Sequence, residues 1–471
     1  MQVTGSNMQN IVLLSSTEFI FRFLPAAAVV YLLTPVKYRN MVLFLESILF
    51  YAAGTLKFTA VLLVLTLLNY LLGNQMFTCN YLTVCGESDD STDRKKKVCL
   101  ILAVLLDAGV LTVFKVLALA EGASWLPLGI SFYIFKMISY QADMYTARIR
   151  QRPPFSAAAA YFTMFPQLTQ GPIMRYNDGF RRRGLLRKPG LERFEDGLVY
   201  ITLGLCMKVL LADRIGILWN EIDKIGYESI STPLAWLGAY GYTFRLYYDF
   251  WGYSLIAAGS AMLLGFDFIE NFHHPYAATG IGDFYRRWHA TLGAWFRDYI
   301  YIPLGGSRCG SAGTIRNLLL VWLITGLWHG GTFNFVLWGL VLGLMIILEK
   351  FPLKKLREKA PFLGRIPVLV IIPLTWVIFA IPDLAKLGTY FTRLFPFFGA
   401  GTGNPADFLR LFPVYAPLFA AAAVLCVPAV FDAIVRFRKS VPVVLLLGAA
   451  FWYCVYFMVT SGGNTFMYFS F

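Results

Sequence analysis

The chain has 471 residues, of which 58% are hydrophobic, 17% aromatic and only 14% charged, with a mean hydropathy of +0.60. A water-soluble domain carries about 25% charged residues, so this composition excludes an ordinary soluble globule and points to a bilayer. The formal charge of +14 would suit nucleic acid, but the basic residues cluster in short loops between apolar runs, at Arg94–Lys97, Arg148–Arg152, Arg181–Lys188 and Lys354–Lys359. That is the positive-inside pattern of cytoplasmic loops, and no nucleic-acid partner is expected.

The amino-terminal stretch "MQVTGSNMQNIVLL" has neither the basic segment nor the small-residue cleavage site of a removable leader. The first hydrophobic run is therefore expected to stay as a helix. Apolar runs follow along the chain at 17–35, 40–54, 57–77, 98–119, 126–146, 198–218, 233–265, 315–328, 333–349, 366–384, 414–435 and 440–460. At about 20 residues per span they predict an all-α polytopic integral membrane protein of roughly eleven to thirteen helices, some not fully spanning. Long continuous runs argue against a barrel. Gly252 and Gly259 interrupt the 233–265 run, which reads as two short helices. One membrane domain is expected over 1–471: N-terminal helices to 150, a core from 151 to 350, and C-terminal helices from 351. The seven cysteines form no C-x-x-C pair, which signals neither a disulfide framework nor a thiolate metal site.

Two regions do not read as spans. Residues 165–190 begin apolar and end strongly basic, as a re-entrant or interfacial segment would. Residues 271–317 hold three of the four histidines. Between Phe284 and Tyr299, large apolar residues recur at helical spacing while Arg286, Arg287, Arg297 and Asp298 fall opposite. This predicts one amphipathic helix at the cytoplasmic interface, with His289 at the edge of its apolar stripe. The 385–413 stretch reads as an outside-facing loop with short helices.

His329 lies deeper. Asn317–Trp328 gives about 18 Å of helix, short of the roughly 30 Å hydrocarbon core, and Gly330–Gly331 then favour a break. With Arg316 and Lys350 on the same side, the two helices form a hairpin whose tip carries His329. An ionisable group inside the membrane costs at least ~2.5 kcal/mol and is functional by default. Gly326, Gly330 and Gly331 permit close approach by a substrate or by another backbone. A neutral imidazole takes a proton from a hydroxyl near neutral pH, so His329 with His289 nearby suits group transfer to an alcohol or thiol. There is no G-x-S-x-G, H-E-x-x-H or G-x-x-x-x-G-K-[ST], so hydrolase, zinc-protease and P-loop chemistries lack support. The tandem His273–His274 has no carboxylate cluster beside it in sequence and reads as a hydrated interfacial pair.

Two blocks, "NFHHPYAATGIGDFYRRWHATLGAWFRDYIYIPLGGSR" (271–308) and "NLLLVWLITGLWHGGTFNFVLWGL" (317–340), carry a resemblance. "LPLGISFYIFKMISYQADMY" (126–145), "FPQLTQGPIMR" (165–175), "YYDFWGYSLIAAGSAMLLGF" (247–266) and "FMYFSF" (466–471) support it. The chain resembles the membrane-bound O-acyltransferases, in particular their bacterial alginate O-acetyltransferase-like branch. The resemblance implies a ring of helices around a thin centre with a cytoplasmic funnel. It also implies a catalytic role for His329 and a second signature role for His289.

The expected function is an O-acetyltransferase of the bacterial cytoplasmic membrane. It would bind no cofactor and take acetyl-CoA as donor substrate. The acceptor expected by resemblance is a secreted or cell-surface polysaccharide, reached through an extracytoplasmic acetyltransferase partner. Membrane lipid is the other expected partner. His329 is expected as general base and His289 as donor-orienting or proton-assisting group. Arg286, Arg287, Trp288, Arg297, Asp298, Trp328 and Asn334 are expected to bind substrate, with Tyr248 and Asp249 as supports. The alternatives are a teichoic acid D-alanyl transferase fed by a carrier protein, and a non-enzymatic polysaccharide or lipid transporter. A transporter would show inverted repeats and would keep its function when His329 becomes Ala.

Overall fold

The computed structural model describes residues 13–180, 190–395, 397 and 406–460. The basic stretch 181–189 and the terminal "FMYFSF" lie outside the described residues. Every regular element described is helical. Among the described residues, seven helices are long and apolar enough to cross a membrane: Val36–Cys85, Asp90–Glu121, Gly310–His329, Phe333–Lys350, Phe362–Ala380, Ala406–Leu425 and Val441–Thr460. The protein is thus a multi-pass integral membrane protein, in keeping with the cytoplasmic membrane expected for it. The number of helices meeting that standard is smaller than the run count because several runs form short or buried helices. Ile130–Tyr145, for example, has 16 residues, twelve of them buried among neighbours.

The chain clusters into two compact units, Met1–Ile201 with Tyr253–Ile269, and Thr202–Gly252 with Glu270–Phe471. In the first, the runs 40–54 and 57–77 are one helix, Arg39–Cys85, kinked at Thr55 (φ −158°, ψ 76°). A buried amide chain ties three helices together. Gln141 Nε2 donates to Asn69 Oδ1 at 2.6 Å, and Asn69 Nδ2 donates to Asp107 Oδ1 at 2.8 Å. Such polar glue is favoured where no water competes. Residues 165–174 are buried and, after the short 3-10 turn Phe165–Gln167, irregular. Phe165 N–H donates to Ser47 Oγ at 3.0 Å, and Tyr161 Oη donates to the Met174 carbonyl at 3.0 Å. Irregular backbone at membrane depth requires this kind of protein cover.

Three sequence expectations change. Thr232–Leu263 is one continuous helix rather than two. Its glycines mark close packing instead: a Cβ on Gly252 would lie 2.6 Å from the Gly204 carbonyl oxygen, and one on Gly259 2.6 Å from that of Gly197. The 414–435 run is split between Ala406–Leu425 and Pro428–Arg436, with Pro428 at the first position of the second helix, where its missing N–H costs nothing. Finally, the helix before His329 begins at Gly310 and has 20 residues, about 30 Å long, so it is not the short approach helix expected from the apolar run alone.

Candidate active site

His329 is the last residue of the Gly310–His329 helix, and Phe333–Lys350 returns beside it. The hairpin closes tightly because glycines face backbone. A Cβ on Gly326 would sit 2.5 Å from the Phe335 carbonyl oxygen, one on Gly339 would collide with that of Trp322, and one on Gly330 with the Phe335 ring. These glycines therefore serve helix approach. His329 is 9% exposed, and its ring is enclosed by aromatic neighbours. It meets Trp338 edge-on at 5.0 Å, Phe379 edge-on at 5.2 Å and Trp328 at 4.7 Å between centroids.

His289 reaches the same region from a broken helix. The expected single helix over 284–299 is two, Ile281–Arg287 and Ala290–Phe296. Between them Trp288 is extended (φ −84°, ψ 124°) and His289 is left-handed (φ 45°, ψ 51°). A left-handed non-glycine residue costs roughly 1–2 kcal/mol, which the surroundings hold in place. Ala290 N–H donates to the Asn271 carbonyl at 2.8 Å, and His273 N–H donates to the Arg287 carbonyl at 3.0 Å. His289 Nδ1 pairs with Asn271 Oδ1 at 3.0 Å, and the ring stands at 90° to Phe250, 4.7 Å away. Burial pushes its pKa down to about 3, so His289 is neutral over the physiological range.

Both histidines line one cavity of about 640 Å³. Leu318, Val321, Trp322, Thr325 and His329 form one stripe of its wall, spaced as one helix face. Tyr285, Trp288 and Trp338 add aromatic walls, while Arg286, Arg297, Lys350 and Arg357 supply four cations. Lys350 is twelve residues, about 18 Å of helical rise, from Trp338, which packs on His329. The cavity thus runs from a basic end to a histidine end. Glu349 fixes the basic end: its Oε2 accepts from Gly282 N–H at 2.8 Å, and its Oε1 pairs with Arg357 Nη1 at 2.5 Å. Lys350 Nζ donates to Ser307 Oγ at 2.9 Å.

Of the residues expected to bind substrate, Arg286, Trp288 and Arg297 line the cavity and four do not. Arg287 is held by Asp283 at 3.1 Å. The Asp283 carboxyl is partly buried, yet the Thr279 N–H, Arg287 and Arg286 keep it below its ordinary range. Asp298 takes the Arg297 Nε at 2.7 Å. Trp328 stands between the histidines, 6.4 Å from His289 and 4.7 Å from His329. Asn334 Nδ2 donates to the carbonyls of Ile378 and Phe379 at 3.2 and 3.0 Å, anchoring the helix whose Phe379 touches His329.

The supports are equally removed from the wall. Tyr248 Oη donates to the Ala422 carbonyl, and Asp249 pairs with Lys208 at 2.9 Å. His273 and His274 each meet a carboxylate, Glu270 at 3.0 Å and Asp432 at 3.2 Å. Glu349, Arg357, Trp338 and Asn271 escaped the sequence reading. The signal for Glu349 was present, since it is the one acid in an otherwise apolar helix.

Two buried histidines and four cations thus line one cavity of a protein with several membrane-crossing helices. A family model, "MBOAT, membrane-bound O-acyltransferase family", matches residues 37–384. The chain belongs to this family and is a membrane-embedded acyltransferase by membership. It is 33% identical over 408 residues to the "Probable alginate O-acetylase AlgI" of Pseudomonas syringae pv. tomato, covering 81% of this chain and 75% of that one. The "Peptidoglycan O-acetyltransferase" of Helicobacter pylori is 30% identical over 387 residues, covering 72% and 71%. The "Teichoic acid D-alanyltransferase" of Bacillus subtilis is 25% identical over 234 residues, covering 48% and 59%.

Proposed function

We propose that this protein is an O-acetyltransferase that takes an acetyl group from a cytoplasmic thioester, acetyl-CoA, and passes it toward a secreted or cell-surface polysaccharide. The observation that carries the reading is the shared cavity of His289 and His329, whose wall also carries four cations. Arg286, Arg297, Lys350 and Arg357 bind the donor's phosphates, for which guanidinium groups are well shaped. The thioester arm lies along the aromatic walls toward His329. There His329 takes the proton of the acceptor hydroxyl as its oxygen attacks the thioester carbon. A C–O bond forms, the C–S bond breaks, and the proton passes to the departing thiolate.

The similarity to named O-acetyl-transferring relatives, over more of both chains than the D-alanyl relative matches, supports acetyl as the group. The polysaccharide receives it directly or through an extracytoplasmic acetyltransferase partner. Sealed vesicles given either [14C]acetyl-CoA or an acetylated carrier protein test the donor. Label transfer with release of coenzyme A is expected from the former; transfer from the carrier protein alone would replace that donor.

A further inference from the structure

We infer that Asn271 is a positioning residue that fixes the tautomer of His289, placing the proton on Nδ1 and leaving Nε2 as the ring's acceptor. The inference rests on the acyltransferase reading for its use, but not for its geometry. Asn271 Oδ1 lies 3.0 Å from His289 Nδ1. The same atom accepts from Thr291 Oγ1 at 2.8 Å and from the Thr291 backbone N–H at 3.4 Å. A backbone N–H can only donate, so the atom it meets is the amide oxygen and not the NH2. An amide oxygen can only accept, so His289 Nδ1 must donate.

The clamp is rigid at both ends. The Asn271 carbonyl takes the Ala290 N–H at 2.8 Å, and His289 is held left-handed between its two helices. Asn271 stays behind the wall while His289 lines the cavity, so the ring is gripped by its Nδ1 edge.

This geometry selects between the two roles open to His289. A neutral imidazole protonated on Nδ1 cannot donate from Nε2 to a thioester carbonyl; it can accept a proton or a hydrogen bond there. His289 therefore assists proton transfer beside His329 and does not polarise the donor carbonyl. The ring is faced by Phe250 from one helix, Trp328 from another, Thr291 through the shared Asn271 oxygen, and Asn271 itself. The neighbouring Glu270 is turned to His273 at 3.0 Å. Burial among these groups keeps the ring neutral.

The chain has four histidines, so 15N-histidine solid-state NMR on the membrane-reconstituted full chain can read the tautomer without any activity. At pH 7 the His289 signal, assigned by its loss in His289→Ala, should show a protonated Nδ1 and an unprotonated Nε2. The reverse pattern would overturn the inference. Two variants read its use. Asn271→Leu should lower kcat about tenfold or more with little change in the donor KM, as losing an orienting partner does. Asn271→Asp should keep the tautomer and activity at high pH, but its carboxylate favours imidazolium, so activity should fall as pH drops through a raised pKa. A pH profile of Asn271→Asp that superimposes on wild type would sink the proposed role. No acetyl transfer by wild type above membranes lacking the protein would sink the acyltransferase reading while leaving the NMR result standing.

Discussion

The ring of His329 stands at 87° to that of Trp338, with centroids 5.0 Å apart. Trp338 is 2% exposed and is itself stacked on Trp376 at 5.7 Å. The histidine is thereby backed by an indole that cannot shift without moving a second one. Trp338→Ala should cost about 3–5 kcal/mol of stability, as large buried aromatics do, and should lower kcat more than it raises KM. Trp338→Phe, which keeps an aromatic face, should retain much of both. Unfolding in detergent and initial rates check this; an Ala variant with normal kcat would detach Trp338 from the chemistry.

The hairpin that presents His329 depends on glycine at 326, where a Cβ would lie 2.5 Å from the Phe335 carbonyl oxygen. Backbone cannot yield as a flexible side chain would. Gly326→Val should force the two helices apart, lower the melting temperature and reduce activity together. Gly109, inside Asp90–Glu121 where a Cβ would meet nothing within 4 Å, serves as control: Gly109→Ala should leave activity unchanged and the melting temperature the same or slightly higher.

His329 was legible in sequence because a lone imidazole in an apolar run is costly and conspicuous, whereas His289, at the edge of an amphipathic segment, stood out through the resemblance of its block. The hairpin was legible too, from its flanking charges and glycines. The break at Trp288–His289 was not. Its apolar spacing is helical on both sides, and what bends it is Asn271, placed by chain folding beside the Ala290 N–H. Glycine spacing misled in the other direction at 252 and 259, since glycine signals a break or a close helix contact with the same letter. Lining residues such as Arg357 were hidden for a similar reason: the Lys354–Lys359 cluster reads as a topological loop until Glu349 is seen to pull one arginine into the cavity wall.

The cations of the basic end should act on donor affinity. Arg286 and Lys350 both line the cavity and are exposed. The double substitution Arg286→Ala/Lys350→Ala should raise the donor KM roughly tenfold with kcat little changed, the signature of lost ground-state binding. Added salt should raise the wild-type KM and affect the variant less, because exposed charges are screened. Equal salt dependence would remove these residues from donor binding.

His289 makes a prediction about stability. Burial lowers its pKa from 6.5 to about 3. Below pH 6.5 the unfolded chain binds a proton at this position that the folded chain does not. The stabilising contribution is therefore complete above 6.5 and is lost as pH falls toward 3, by up to about 1.4 kcal/mol per pH unit. Between pH 7.5 and 5, wild type should lose more thermal stability than His289→Gln. Parallel losses would contradict a buried neutral ring.

The most direct measurement of the central claim follows label from [14C]acetyl-CoA into polysaccharide or partner protein, in membranes carrying wild type or His329→Ala at matched expression. Wild type should transfer label and release coenzyme A, and the variant should fall by at least about a hundredfold, the scale of a lost general base. Transfer by His329→Ala at the wild-type rate would contradict the account.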